Sequence, residues 1–89
     1  MPERGESALE FPCEFPVKVM GQAHPEFVLR ITEVVREHVP DLRNSDISTA
    51  SSRRGNYVSV TVTITATSQE QLDSLYRALN ARDDVVMTL

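Results

Sequence analysis

Tyr57-Val58-Ser59-Val60-Thr61-Val62-Thr63-Ile64-Thr65-Ala66-Thr67 alternates without a break between aliphatic side chains and tyrosine or hydroxyl side chains. A period of two over this length is the signature of a half-buried strand, because successive side chains of extended backbone leave on opposite faces. Val58, Val60, Val62, Ile64 and Ala66 form one dry face; Tyr57, Ser59, Thr61, Thr63 and Thr65 form the other. Burying each larger aliphatic contributes about 1.5–3 kcal/mol, so this strand is expected to anchor the core and to sit centrally, with helices covering one face only.

Downstream, Ser68 and Gln71 have the spacing of a capping box, and Glu70 brings a negative charge to the first turn. Leu72, Leu75, Tyr76 and Leu79 then recur at helical spacing, with Asn80 as the expected left-handed stop. Asp83 and Asp84 suit a turn, and Val85 to Leu89 reads as a last strand. Upstream, Arg53-Arg54-Gly55-Asn56 is a hairpin signal, preceded by a short, serine-rich edge strand over Ile47 to Ser52.

Phe27, Val28, Ile31, Val34, Val35 and His38 share one side of a helical wheel, which predicts a helix starting at Pro25 and stopping before Pro40, with Leu29 left in solvent. Before it, Phe11, Cys13, Phe15, Val17 and Val19 share one parity, while Pro12, Glu14, Pro16, Lys18 and Met20 share the other. The two prolines confine doubly paired backbone to a short strand from Val17 to Gly21. The element order is β-α-β-β-α-β, which predicts an α+β, ferredoxin-like sandwich: a four-stranded antiparallel sheet of order 4-1-3-2 with two helices on one face. Residues 1–10 are expected to form a flexible tail, and 11–89 a single domain.

Composition narrows the function. The chain has 89 residues, 40% hydrophobic and 25% charged, the balance of an ordinary globular domain. Its net charge of −4 is the wrong sign for a polyphosphate partner. An RNA-recognition sheet needs several aromatics on the exposed face, and only Tyr57 is aromatic here, so nucleic acid is disfavoured. No apolar run reaches a membrane-spanning length, and one cysteine can form neither an intrachain disulfide nor a cysteine cage; a cytoplasmic protein is expected. A copper-carrying relative of this fold would need paired cysteines after the first strand. Neither a nucleophile elbow nor a P-loop is present, so no enzyme, metal or cofactor is expected. Asp83 and Asp84 lack the further oxygen ligands that a cation requires. Cys13 is expected to act as a small hydrophobe, and His38 as a structural group near a helix end.

The residues open to a binding role are Lys18, outward on a central strand beside the hydroxyl row; Gly21, Gln22 and His24 in the connection to the first helix; and Arg53 and Arg54 at the hairpin. Together they are the candidate site for a small anion, and Tyr57, Ser59, Thr61 and Thr63 are the candidate open docking face.

The run Phe11-Pro12-Cys13-Glu14-Phe15-Pro16-Val17-Lys18-Val19-Met20-Gly21, with Ser52-Arg53-Arg54-Gly55-Asn56-Tyr57, resembles the YbeD-like family of small bacterial proteins of unknown function. The likeness covers about Glu10 to Leu89. It implies a ferredoxin-like fold similar to ACT domains, regulatory modules that bind amino acids and adjust metabolic enzymes, often as dimers, and it associates the family with lipoate metabolism. In ACT domains the ligand meets the loop that corresponds here to Gly21–His24. The expected function is therefore a non-enzymatic regulatory or interaction module, meeting a metabolic enzyme or a second copy through the open sheet face or an edge strand. The alternative is an ACT-type sensor of an amino acid or other small anion.

Overall fold

A computed structural model describes residues 9–89. The expected tail lies, for residues 1–8, outside the described residues; Leu9 is half-buried against the core. Four strands, β1 (Cys13–Gln22), β2 (Ile47–Ser51), β3 (Tyr57–Ala66) and β4 (Val85–Thr88), form one antiparallel sheet in the order β2-β3-β1-β4. Two helices, α1 (Phe27–His38) and α2 (Gln69–Asn80), cover one face. This is the expected 4-1-3-2 sandwich.

The alternation of β3 sets the layers. Val60, Val62, Ile64 and Ala66 are buried with Val17 and Val19 of β1, beneath Phe27, Ile31 and Val35 of α1 and Leu72, Leu75 and Leu79 of α2. Leu29 is exposed, as its place on the wheel requires. Thr32, polar and off the expected stripe, is also buried; its hydroxyl donates to the Val28 carbonyl at 2.7 Å, which satisfies it locally.

β1 is longer than its prolines suggested, pairing with β3 from Cys13 opposite Ala66 to Gln22 opposite Tyr57. The reason is directional. Lys18 exchanges both backbone hydrogen bonds with Leu89, at 3.2 and 2.8 Å, so its N–H points away from β3. Residues of the same parity point the same way, and Pro16 therefore lacks a donor only on the side where β4 has already ended. Doubly paired backbone begins at Lys18, and Val86 bulges out of β4 where the register shifts between Met20 and Gly21.

The helix ends differ from expectation in detail. α1 begins at Phe27 with Glu26 as its N-cap, so Pro25 lies in the preceding turn. At α2 the Ser68 hydroxyl accepts from the Gln71 N–H at 3.0 Å, whereas the Gln71 side chain returns to Thr67 N–H at 2.7 Å rather than to Ser68. The Gln71 amide also donates to the His38 carbonyl at 3.0 Å, tying the start of α2 to the end of α1. Asn80 is not a left-handed stop. It is the last helical residue, Ala81 follows in right-handed geometry, and the Asn80 side chain accepts from the Thr88 hydroxyl at 3.2 Å. The hairpin glycine, Gly55, takes φ +75° as the tight connection needs.

Candidate functional site

The uncovered face of the sheet follows from the register. Glu14, Pro16, Lys18, Met20 and Gln22 of β1 lie beside Thr65, Thr63, Thr61, Ser59 and Tyr57 of β3; Ser48 and Ala50 of β2 flank Thr61 and Ser59, and Met87 of β4 flanks Met20. Among the described residues only Glu14 and Lys18 carry charge on this surface, although a quarter of the chain is charged. Seven other charges lie on the helices, with Arg30, Glu33, Arg36 and Glu37 on α1 and Glu70, Asp73 and Arg77 on α2. Tyr57 and Met87 are exposed at 44% and 48%, and a shallow depression of about 90 Å³ lies among Met20, Ala50, Tyr57 and Ser59. The result is a hydroxyl-bearing surface with thioether and aromatic islands.

The candidate small-ligand residues fall into separate places. Lys18 stands mid-sheet opposite Thr61, while Gln22 is four residues further along β1, about 13 Å away at the rise of a strand. Gln22 meets the hairpin end: Ala23 N–H donates to the Asn56 carbonyl at 2.9 Å, and an open cavity of about 350 Å³ is lined by Gln22, Ala23, Gly55, Asn56 and Tyr57. Arg53 and Arg54 are exposed at the hairpin tip. Gly21 and His24 have structural partners. A Cβ at residue 21 would overlap the Phe27 ring and the Asp84 carbonyl oxygen, so glycine is required by packing. His24 Nδ1 accepts the Glu26 N–H at 3.1 Å, and its carbonyl accepts Phe27 N–H at 2.9 Å, which closes the turn into α1.

The acids expected in the last turn are partly paired. Arg82 Nε and Nη2 donate to the two carboxylate oxygens of Asp84 at 2.9 and 3.1 Å, and this two-pronged bond holds the Asp84 carboxyl below the usual carboxylate range. Among the described residues no group of histidine, cysteine or carboxylate side chains is arranged to hold a metal, and no helix is long and apolar enough to cross a membrane.

A second concavity was not legible in the sequence. It measures about 330 Å³ and lies between the end of β3 and the segment joining α1 to β2, lined by Glu14, Val39, Asp41, Leu42, Arg43, Asp46, Thr63, Ile64 and Thr65. Its position depends on the path of the connection from α1 to β2 beside the end of β3, which no local pattern encodes.

Comparison with known proteins agrees with this architecture. The chain is 47% identical to a UPF0250 protein of Chromobacterium violaceum over 89 residues, covering all of both chains, and 47% identical to one of Neisseria gonorrhoeae over 87 residues, covering 98% of this chain and 96% of the relative. Among solved structures it is similar to protein HP0495 of H. pylori (TM-score 0.72, 15% identity, covering 100% of this chain and 94% of that one). It is also similar to the ACT domain of the GTP pyrophosphokinase of Chlorobium tepidum (TM-score 0.66, 15% identity, covering 85% and 84%). At such identities the likeness is one of fold. The family model described as "Protein of unknown function (DUF493)" matches residues 6–89, and the chain belongs to that family.

Proposed function

We propose that this protein is a non-enzymatic interaction module of metabolism that docks through the open face of its sheet. The observation that carries the reading is the near absence of charge from that face: interface centres are depleted of charge and enriched in aromatic residues and methionine, and Met20, Tyr57 and Met87 stand there among hydroxyls. The occupant is a metabolic enzyme or a second copy. Thr61→Glu places a charge at the middle of the face without touching the core. Sedimentation and affinity capture compare it with the parent chain, with the melting temperature as the check on folding. The proposal requires the parent chain to form an assembly, or to retain a defined partner, that the folded variant loses. Identical behaviour of the two would refute it.

The cavity beside Gln22, Asn56 and Tyr57 supports a second reading, an ACT-type sensor of a small anion, with Arg53 and Arg54 preceding its Gly55 in the chain. A thermal-shift panel of amino acids and lipoyl compounds tests it. Ligand at about 100 times its Kd adds roughly 2.7 kcal/mol, enough to raise Tm by about 10 °C or more in a domain of this size. No shift across the panel would refute that reading.

A further inference from the structure

β2 is an outer strand, and the parity of the ladder fixes what its free side presents. Lys18 exchanges its backbone bonds with Leu89, away from β3, so Val17 and Val19 bond to Val62 and Val60, and the N–H and C=O groups of Thr61 and Ser59 turn to Ser48 and Ala50 of β2. The alternate residues Ile47, Thr49 and Ser51 therefore direct their backbone groups outward, where no further strand lies among the described residues. The Ile47 N–H is turned back to the Asn44 carbonyl, which leaves the N–H and C=O of Thr49 and of Ser51 open. Ile47 to Ser51 carries neither charge nor proline, and Ser48 to Ser51 are exposed. Charge stands at the two ends. Asp46 precedes β2, where its carboxylate accepts the Arg43 N–H at 3.1 Å and lies 3.7 Å from the Arg43 guanidinium; Arg53 and Arg54, both exposed, follow the strand.

We infer that β2 pairs antiparallel with β2 of a second copy about a two-fold axis at Ala50. An axis normal to the sheet keeps both helix layers on one side and sets the residue at the axis opposite itself. In this register Thr49 exchanges both backbone bonds with the partner's Ser51, and Ser51 with the partner's Thr49, so every open group of these two residues is met without calling on the Ile47 N–H. Ala50 faces the partner's Ala50 across a pair without hydrogen bonds, where two strands come closest and a small side chain fits. The same register sets Asp46 level with the partner's Arg54 at each end, whereas a parallel pairing would bring like charges together. An edge of five residues makes a small contact, so the pair is weak and depends on concentration. This inference stands apart from the docking face proposed above, because it uses backbone groups of an edge and leaves Thr61 uncovered.

The test follows the full chain from roughly 10 μM to roughly 1 mM by sedimentation and by amide hydrogen exchange. A rise from one copy to two is expected, with exchange at Thr49 and Ser51 slowed at least about threefold over that range, while Ser48 and Ala50, already bonded to β3, change little. Thr49→Pro removes an outward N–H and spares the ladder to β3, since proline is tolerated where its nitrogen faces away from the sheet. The variant should fold, as judged by its melting temperature, and associate at least about tenfold more weakly. Thr61→Glu should leave the pair intact. Charge reversal provides a second route: Asp46→Lys and the double variant Arg53→Glu, Arg54→Glu should each associate poorly alone and recover when mixed in equal amounts, because only the mixed pair matches opposite charges at both ends. A single copy throughout the range would overturn the inference, as would no recovery on mixing. So would a pair that survives Thr49→Pro but is lost in Thr61→Glu, which would place the contact on the open face. Slow exchange at Thr49 and Ser51 at every concentration would also overturn it, and would mean that the first eight residues of the same chain fill the edge.

Discussion

Gly21→Ala should be among the most damaging single-methyl changes in this domain, although the residue lies in a strand, where alanine is ordinarily tolerated. The added Cβ would overlap Cε1 and Cζ of Phe27 and the carbonyl oxygen of Asp84, and Phe27 is fully buried. Neither obstacle yields easily: the ring is held between α1 and the sheet, and the carbonyl belongs to the backbone leading into the bulged β4. Overpacking a well-filled core costs about 1–3 kcal/mol, and two rigid obstacles put this case near 3. For a domain of this size each kcal/mol lowers Tm by roughly 4–8 °C, so a fall of roughly 12–24 °C is expected by circular dichroism. Gly55→Ala provides the contrast, because no atom lies within 4 Å and its cost arises only from φ +75°. A double-mutant cycle separates the two causes. In a Phe27→Leu background the smaller side chain makes room, and Gly21→Ala should cost at least about 1 kcal/mol less than in the parent, within the range of couplings between touching residues. A Tm change below about 4 °C, or strict additivity in the cycle, would refute the packing account of Gly21 and return it to the candidate ligand loop.

Gln71→Ala removes the acceptor of the Thr67 N–H and the donor to the His38 carbonyl together, and should cost about 1–2 kcal/mol in urea unfolding, with the amides of Thr67 and Gln71 exchanging faster. Asp84 is held below its usual pKa by Arg82, so its contribution to stability is full above the unfolded-state value and is lost as pH falls through the folded one. Asp84→Asn should therefore flatten the fall in Tm between neutral and acid pH, by the equivalent of less than about 1 kcal/mol for a half-exposed pair, and an unchanged acid limb would contradict this. Leu75→Ala, at a fully buried site between α2 and the sheet, should cost about 2–5 kcal/mol, measured by chemical denaturation.

The features most legible in the sequence were those with a local cause. The unbroken alternation of β3 identified the buried face and the open one, and the leucines of α2 identified the second helix, because periodicity reports burial directly. The length of β1 was misjudged because proline was counted as a lost donor without knowing which edge it faced. Asn80 was misjudged because its side chain is engaged by Thr88, a contact eight residues away that outweighs its tendency to end a helix. Gly21 was assigned to a loop with His24 but lies within β1, and the work of both residues, packing against Phe27 and closing a helix turn, depends on neighbours brought by tertiary structure. The residues around Glu14, Asp41 and Thr65 could not be grouped: the strand at Ile47 was legible, but the path of the Val39–Asp46 connection beside the end of β3 has no local signal.

The prolines of β1 have a consequence for growth. Past the end of β4 the β1 flank carries Pro16, which offers no N–H, and β4 itself is four residues long with a bulge, so that border of the sheet is a poor template for another chain. The opposite border, β2, has no such guard among the described residues. Lateral stacking of copies is thereby made one-sided: two molecules joined along β2 would turn only blunted borders outward, and the series would stop at a pair instead of lengthening into a fibre.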